Sequence, residues 1–347
     1  MGWHCWASDL ADMEFAEPKW LVEPLWPSDS CGFIAGPSGV RKSWLCLELG
    51  LSVSTGRPFL SKFKIGRPGK VLYVAGEDKL RGLHARLSML ARHHGTDVAK
   101  FKTYALVSRQ NTLTDPQHKA SFEAFCAAHK PSLVILDPFV RMHDGDESSA
   151  RDMAPILSFA RQAQEKHGFA LIITHHVRKP GSSGAASGLT SSSLRGSGDL
   201  YAWADTVVFV ERPSHSRQRV EFWIDKQRDA VEHPHVLVAD FVEDSDGVKG
   251  GFVFRGNKED VPTKMDDDLL KILVPFGAQG VGKNELLEKL VGNNDRKKQA
   301  IKRQITARTI EQVLGRALGK LGPEATKAYL RLRPLPSAVA SPQHPRP

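Results

Sequence analysis

The chain has 347 residues, of which 41% are hydrophobic and 25% are charged, a composition typical of globular proteins that excludes disordered and collagen-like chains. No apolar run reaches the roughly 18 residues of a membrane-spanning helix, no signal-peptide pattern opens the chain, and the four cysteines lack metal-ligand spacing. The net charge of +9 is uneven, because residues 264–347 hold 16 Lys and Arg against 8 Asp and Glu. We therefore expect a cytoplasmic protein with no membrane partner, whose basic end is a nucleic-acid-binding appendage or, alternatively, a solvated basic face.

A short N-terminal segment, residues 1–25, precedes a region in which apolar runs alternate with helical patterns. This alternation is typical of a mainly parallel sheet flanked by crossover helices, so we expect an α/β domain over residues 26–256. The predicted strands are CGFIAG, VLYVAGED, FKTYAL, SLVILDP, FALIITHH, TVVFVER and VEFWIDK, and the predicted helices are residues 42–55, 80–94, 116–129 and 150–167. A Ser/Gly-rich segment from Pro180 to Ser193 is predicted to be a mobile loop within this domain.

A different pattern begins at residue 264. Two helical patterns, DDDLLKILVPF and NELLEKLV, are followed by a long basic amphipathic run over residues 300–321 and by a short alternating strand, AYLRLR. Three helices closed by a strand predict a winged-helix-like domain over residues 264–333, although the second strand of its wing is not evident. The last residues, 334–347, contain five prolines and are predicted to be disordered.

Two segments resemble a phosphate-binding loop, G-x-x-x-x-G-K-[ST], and each departs from it at one position. GPSGVRKS, which begins at Gly36, has Arg41 in place of the second glycine, whereas GAQGVGKN has both glycines and Asn284 in place of Ser or Thr. A phosphate loop must follow a buried strand and open a helix, so that backbone N–H groups point at the phosphates. Only the first segment has this context, and we predict that the second is a turn before a helix.

Two predicted strands end in carboxylates that a phosphate loop requires. Asp137 follows SLVIL, in the position of a magnesium-binding carboxylate, and Glu77 follows VLYVAG, where it could polarise a water molecule. A helix cap or a surface charge would explain either residue alone. In combination with the loop, the two carboxylates predict an ATPase site.

A known family shows the same succession of motifs. In order and spacing, residues 15–255 resemble the RecA-like ATPases of the plasmid RepA helicase type, relatives of the DnaB-type hexameric helicases, in the segments GPSGVRKSWLCLELGLSVSTGRPFL, VLYVAGEDKLRGLHARL, LVILDPFVRMHDGDESS, LIITHHVRKPG and LRGSGDLYAWAD. The resemblance implies a RecA-like P-loop fold with ATP and Mg²⁺ as cofactors. It implies ATP contacts from Gly36, Pro37, Ser38, Gly39, Val40, Arg41, Lys42, Ser43 and Trp44.

The resemblance also assigns individual roles. Lys42 would neutralise the β and γ phosphates, Ser43 and Asp137 would hold Mg²⁺, Glu77 would be the catalytic base, and His175 would sense the γ-phosphate. Taken alone, His175 would more often be a structural histidine at a strand end.

Hexameric relatives complete their site with an arginine from the neighbouring subunit, supplied by a K-x-R pair. The resemblance places Lys226 and Arg228 in this role, with Arg195 as a second candidate. A cross-strand salt bridge is the competing explanation for Arg228.

Arg41 departs from the family pattern, because glycine at this position adopts a left-handed conformation that costs other residues about 1–2 kcal/mol. The sequence leaves open whether the arginine crowds the nucleotide or adds positive charge to its site.

Three functions fit these observations. The first is an ATP-driven hexameric ring that acts on DNA as a helicase, motor or loader in the replication of a mobile element. The alternative is a nucleotide-gated DNA-binding or regulatory protein with little hydrolysis because of Arg41. A recombination or repair ATPase fits the core but not the basic appendage.

The basic appendage offers one cluster of candidate DNA contacts. Lys297, Lys298, Lys302 and Arg303 are predicted to form a positive collar at one end of a helix, suited to phosphate contacts and sequence-independent binding. A solvated helix end or a surface for an acidic partner is the alternative.

Overall fold

The fold is given by a computed structural model. It describes residues 19–101, 103–177, 189–190, 193–194, 198–213, 216–228, 235–261, 264–306, 310–314 and 328–332. Most of the predicted Ser/Gly loop, Arg195 and the predicted tail lie outside these residues. The chain divides into two compact units, Met1–Lys258 and Glu259–Pro347.

The first unit is built on a nine-stranded sheet flanked by helices. The strands of the unit are β1 Trp20–Val22, β2 Trp26–Pro27, β3 Cys31–Gly36, β4 Val71–Ala75, β5 Tyr104–Ser108, β6 Leu133–Asp137, β7 Ala170–His176, β8 Thr206–Glu211, β9 Arg219–Gln227, β10 Leu237–Glu243 and β11 Gly250–Asn257. The helices are α1 Lys42–Thr55, α2 Leu80–His93, α3 Pro116–His129, α4 Ala150–His167 and α5 Gly198–Trp203. β1 and β2 form a separate antiparallel pair.

The order of the large sheet is β11-β10-β9-β8-β3-β7-β6-β4-β5. From β8 to β5 all neighbouring strands are parallel, whereas β9, β10 and β11 continue the sheet in antiparallel pairs. The predicted α/β core, a mainly parallel sheet flanked by helices, is confirmed.

Helices cover both faces of the sheet, which explains the uninterrupted apolar strands. Successive side chains of β3 enter different hydrophobic cores, Ile34 on one face and Phe33 and Ala35 on the other. A strand with two buried faces has no polar side to alternate with its apolar side.

Local capping fixes where the flanking helices begin and end. The Asp115 side chain accepts a bond from the backbone N–H of His118 at 2.8 Å, and Pro116 occupies the first helical position of α3. α4 ends at Gly168, which has a φ of 68° and donates its N–H to the carbonyl of Gln164.

β10 and β11 were not predicted, because polar side chains interrupt their apolar pattern. Asp240, in the middle of β10, accepts bonds from Arg219 at 3.0 Å and Arg255 at 2.9 Å on the two neighbouring strands. A cross-strand partner of opposite charge lets a carboxylate lie within a sheet, but no local sequence pattern reveals such a partner.

The described part of the second unit contains three α-helices and a small antiparallel sheet with strand order β12-β14-β13. Its main core side chains are Leu269, Leu273, Leu286, Leu290, Ala300, Ile301 and Leu330. Its elements are α6 Lys264–Leu273, a 3₁₀ turn Val274–Gln279, β12 Val281–Gly282, α7 Lys283–Lys289, α8 Asn294–Thr306, β13 Ile310–Leu314 and β14 Ala328–Leu332.

The predicted long helix over residues 300–321 is wrong. α8 ends at Thr306, and Ile310–Leu314 forms β13, which pairs with all five residues of β14. The segment carries the β-branched residues Ile310 and Val313, which favour a strand, and pairing with β14 overrides its helical spacing. β13 therefore provides a second strand beside AYLRLR, while the winged-helix assignment stays a prediction.

None of the helices in the described part of the chain has the length and apolar composition that a membrane crossing requires.

Candidate nucleotide-binding site

A cleft of about 400 Å³ lies at the carboxyl ends of the parallel strands. Its lining includes loop residues after β3, Glu77 after β4, Asp137 at the end of β6 and His176 at the end of β7. Parallel strands bring their carboxyl ends to the same edge of the sheet, so residues far apart in sequence meet here.

The loop between β3 and α1 forms one wall of the cleft. Gly36 must be glycine, because a Cβ atom there would lie 2.1 Å from the carbonyl oxygen of Val210. The first bond of α1 runs from the N–H of Leu45 to the carbonyl of Arg41, at 3.0 Å. The N–H groups of the intervening first turn therefore have no acceptor within the helix, and such a terminus attracts anions.

Lys42 opens α1 and is almost fully buried. Its Nζ donates to the carbonyls of Gly36 at 2.8 Å and Pro37 at 2.9 Å, and lies 3.4 Å from Nδ1 of His176. Burial lowers the pKa of Lys42 to about 8, although the negative charges of Asp137 and Glu77 act in the opposite direction. The ammonium group is thus desolvated, and its hydrogen-bond partners among the described residues are all neutral acceptors, a state that an anionic ligand would stabilise.

Asp137 is held in a fixed orientation at the base of the cleft. One carboxylate oxygen accepts from the hydroxyl of Tyr73 on β4, and the other accepts from the hydroxyl of Thr174 on β7. Burial and the adjoining carboxylate keep the pKa of Tyr73 well above its ordinary value, so this hydroxyl remains a donor. Ser43 lines the same cleft, and a hydroxyl with a carboxylate is a set of hard oxygen ligands that fits Mg²⁺.

Glu77 lies at the mouth of the cleft, two residues beyond β4. It is exposed and accepts a bond from Nε of Arg141 at 3.2 Å. The preceding Gly76 is required by this geometry, because a Cβ atom there would lie 2.2 Å from that of Arg141. The next residue, Asp78, forms two bonds with Arg86, at 2.7 and 2.9 Å.

Comparison with known proteins agrees with this geometry. The AAA domain family matches residues 4–182, more than half of the chain, and the match contains the loop, Glu77, Asp137 and His176. The chain belongs to the AAA domain family. Among solved structures, it is similar to an ATPase domain with a TM-score of 0.49 and 14% identity, over 65% of this chain and 84% of that chain. The family assignment supports a P-loop ATPase domain that binds nucleotide.

Arg41 occupies the glycine position of this AAA domain without changing the backbone that a glycine would adopt. Its φ of 73° and ψ of 25° are left-handed. Its guanidinium lies over the ring of Phe241 on β10, with Cζ 4.2 Å from the ring centroid. The side chain is therefore occupied by an aromatic partner.

The structure does not bring His175 to the cleft. Its side chain is 1% exposed and packs against the rings of Phe33 and Phe139. Because successive side chains of a strand point to opposite faces, the neighbouring His176 points towards Lys42 instead. Burial and the Lys42 charge lower the pKa of His176.

Lys226 lies near the end of β9 and Arg228 directly follows that strand, and neither residue lines the cleft. β9 is antiparallel to β8, and Gln227 pairs with Thr206 at the start of that strand. Arg228 donates to the carbonyl of Ala202 at 2.7 Å and lies 3.4 Å from a carboxylate oxygen of Asp205. Lys226 donates to the backbone of α5, at the carbonyls of Tyr201 and Ala202.

Several cleft residues were not predicted from the sequence. Arg212 directly follows β8 and donates to the carbonyl of Gly39 at 3.2 Å, and Tyr73 and Thr174 orient Asp137. Thr174 could have been found as the residue two before His176, on the same face of β7. Arg212 could not, because its place depends on β8 lying beside β3 in the sheet.

The predicted positive collar of the second unit is only partly exposed. Nζ of Lys297 donates to the carbonyl of Leu287 at 2.6 Å, and Lys297 is 9% exposed. Arg303 forms an ion pair of 2.7 Å with Asp266. Lys298 and Lys302 remain exposed on α8. Of the four residues that were predicted to contact phosphate, Lys298 and Lys302 are therefore the two whose side chains are exposed for such a contact.

Proposed function

We propose that this AAA domain binds ATP with Mg²⁺ and hydrolyses it, and that the protein acts on DNA as a helicase, motor or loader in the replication of a mobile element. The observation that carries the proposal is the meeting of Lys42, Ser43, Asp137 and Glu77 at one cleft. They come from three different strand ends, and a cleft that joins an anion-binding loop to two carboxylates suits phosphoryl transfer.

Binding exchanges the partners of Lys42. Its Nζ leaves the carbonyls of Gly36 and Pro37 for phosphate oxygens, and charge-assisted bonds are stronger than bonds to neutral carbonyls. The N–H groups that open α1 add contacts that need no side chain. His176, beside Lys42, takes the phosphate-sensing role in place of His175.

Ser43 and Asp137 would hold Mg²⁺, which neutralises phosphate charge when bound. Tyr73 and Thr174 keep the Asp137 carboxylate from rotating. Asp137 therefore loses little conformational entropy when it becomes a ligand.

Glu77 accepts the proton of the attacking water. Its pairing with Arg141 is half-exposed and is worth only about 0–1 kcal/mol, so Glu77 can leave the arginine at small cost.

The action on DNA rests on the charge of residues 264–347, which carry +8 of the chain's +9, and on the exposed Lys298 and Lys302. A hexameric ring would supply Arg228 to the neighbouring subunit's cleft. Arg228 lies near the amino-terminal ends of the parallel strands, whereas the loop after β3 lies at their carboxyl-terminal ends. This position is compatible with a role in trans and not with a role in the cleft of the same chain.

The test is a steady-state ATPase assay with and without DNA, on the wild-type chain and on Lys42→Ala. DNA-stimulated turnover that Lys42→Ala abolishes would support the proposal. ATP binding without turnover in either condition would favour the alternative, a nucleotide-gated DNA-binding or regulatory protein. The Arg41 contact with Phe241 weakens the reason for that alternative, because the guanidinium already has a partner. No ATP binding at all would reject both.

The trans role is tested by mixing. Arg228→Ala subunits keep an intact loop, and Lys42→Ala subunits keep an intact Arg228. A mixture should recover activity that neither variant has, whereas no recovery at any ratio would identify the Arg228–Asp205 contact as structural.

A further inference from the structure

Arg41 has a backbone conformation that favours glycine. Contacts with the rest of the protein must therefore stabilise this conformation. Its φ of 73° belongs to the left-handed region, which disfavours residues with side chains. The conformation persists only where surrounding contacts fix it.

The surrounding contacts come from the antiparallel part of the sheet. Phe241 on β10 receives the guanidinium of Arg41 at 4.2 Å from its ring centroid, and its ring also lies 4.8 Å from that of Trp44, at an interplanar angle of 62°. One aromatic side chain thus touches both the last residue of the loop and the first turn of α1.

Phe241 is itself tightly packed. It is 1% exposed, packs against the ring of Phe252 at 5.1 Å, and lies within a strand paired on both sides. A cation over the face of a buried ring is held more firmly than a cation in water. Nε of Arg41 is buried and has no hydrogen-bond partner in the part of the chain that the structure describes, so the ring of Phe241 and the nearby negative charge of Glu243 are what hold the guanidinium.

We propose that Arg41 is a positioning residue, which anchors the phosphate loop to β10 through Phe241 and so holds the loop ready for phosphate. The inference rests on the proposed function for its effect on ATP. The anchor itself is a property of the nucleotide-free protein.

This anchor predicts the outcome of restoring glycine. Arg41→Gly relieves the backbone but removes the attachment, so these two effects oppose each other. Arg41→Ala removes the attachment and keeps the strained backbone, and is therefore the cleaner variant. Arg41→Lys keeps a cation that can lie over the ring and should restore part of the effect.

The experiment compares Arg41→Ala, Arg41→Lys, Phe241→Leu and the matched control Phe252→Leu. Phe252 is as buried as Phe241, at 1% exposed, and packs against it from the neighbouring strand. Both leucine variants should lose similar thermal stability. Only Phe241→Leu removes the ring under Arg41.

The first measurement is hydrogen exchange of the loop's backbone in the protein without nucleotide. Exchange over residues 38–43 should be about tenfold faster in Arg41→Ala and Phe241→Leu, intermediate in Arg41→Lys, and unchanged in Phe252→Leu. Equal exchange in Phe241→Leu and Phe252→Leu, or no change in Arg41→Ala, would overturn the anchor.

The second measurement is ATP affinity. Arg41→Ala and Phe241→Leu should each bind about tenfold more weakly, and the double variant should be no weaker than either, because both remove one contact. If wild-type protein binds ATP, Lys42→Ala does not, and these variants bind like wild type, the inference fails while the proposed function stands. If wild-type protein fails to bind ATP, the proposed function fails, and the exchange measurement still decides whether the anchor exists.

Discussion

Two segments of the chain resemble a phosphate-binding loop, and the one that keeps both glycines has the poorer structure for phosphate. In GAQGVGKN, Gly282 precedes Lys283 with a φ of −58°, which any residue can adopt. In GPSGVRKS, Arg41 precedes Lys42 with a φ of 73°, which favours glycine. The glycine is present where the backbone does not need it and absent where it does.

The surroundings of the two lysines differ in the same way. Lys42 is buried between a parallel strand and a helix of 14 residues, beside two carboxylates. Lys283 is exposed between a two-residue antiparallel strand and a helix of seven residues. A phosphate site therefore depends on the strand, the helix and the left-handed turn between them, and the identity of one residue can change if other contacts maintain that turn.

The largest expected difference separates the two lysines. Lys42→Ala should weaken ATP binding about a hundredfold or more and abolish turnover, because it removes a desolvated cation that binds phosphate directly. Lys283→Ala should bind ATP like the wild-type chain. Isothermal titration of both variants checks this expectation, and comparable losses in the two would end the assignment of a single site.

A carboxylate beside the first loop provides the next test. Glu77→Gln should keep ATP affinity and lose turnover by about 100- to 10,000-fold, because the amide cannot accept the proton of the attacking water. The control is Asp78→Asn, whose carboxylate is already bonded to Arg86. If Glu77→Gln turns over normally, or if Asp78→Asn shows the larger loss, Glu77 is not the base.

Much of this comparison could be predicted from the sequence, and the rest could not for a common reason. The strand before Gly36, α1 from Lys42 and the strand end at Asp137 follow from local apolar runs and turn residues. The partners of Arg41, Asp137 and Lys42 are Phe241, Tyr73 and His176, which the order of strands brings together. A strand order is a property of the whole sheet, and no short sequence pattern carries it.

The burial of Lys42 predicts that ATP affinity depends on pH, with a smaller effect than that of Lys42→Ala or Glu77→Gln. Burial lowers its pKa to about 8 in the free protein, and phosphate beside it would raise that pKa, so binding takes up a proton above pH 8. ATP affinity should fall roughly tenfold between about pH 8 and 9.5, whereas below the free pKa the lysine is already charged and contributes no dependence.

Calorimetric titrations over this pH range measure the effect. Lys42→Arg keeps its charge throughout and should not show the fall, and Lys283→Ala should follow the wild-type profile. A fall of equal size in Lys42→Arg would assign the titration to another group.

The smallest expected effect on ligand binding concerns DNA. The loop of the second unit is not the proposed nucleotide site, and this unit is instead expected to bind DNA. Lys298 and Lys302 are exposed on α8, so changing both to Ala in the full chain should reduce the slope of log DNA affinity against log salt by about 2 units.

Arg303→Ala should act differently. It leaves Asp266, which is 0% exposed, without its ion pair to Arg303 and should destabilise this unit by about 3–5 kcal/mol, because a buried carboxylate loses a compensating charge. Binding titrations at several salt concentrations, together with thermal unfolding, separate the two effects. A slope that is unchanged in the Lys298/Lys302 variant would mean that the positive charge of this unit binds something other than DNA phosphate.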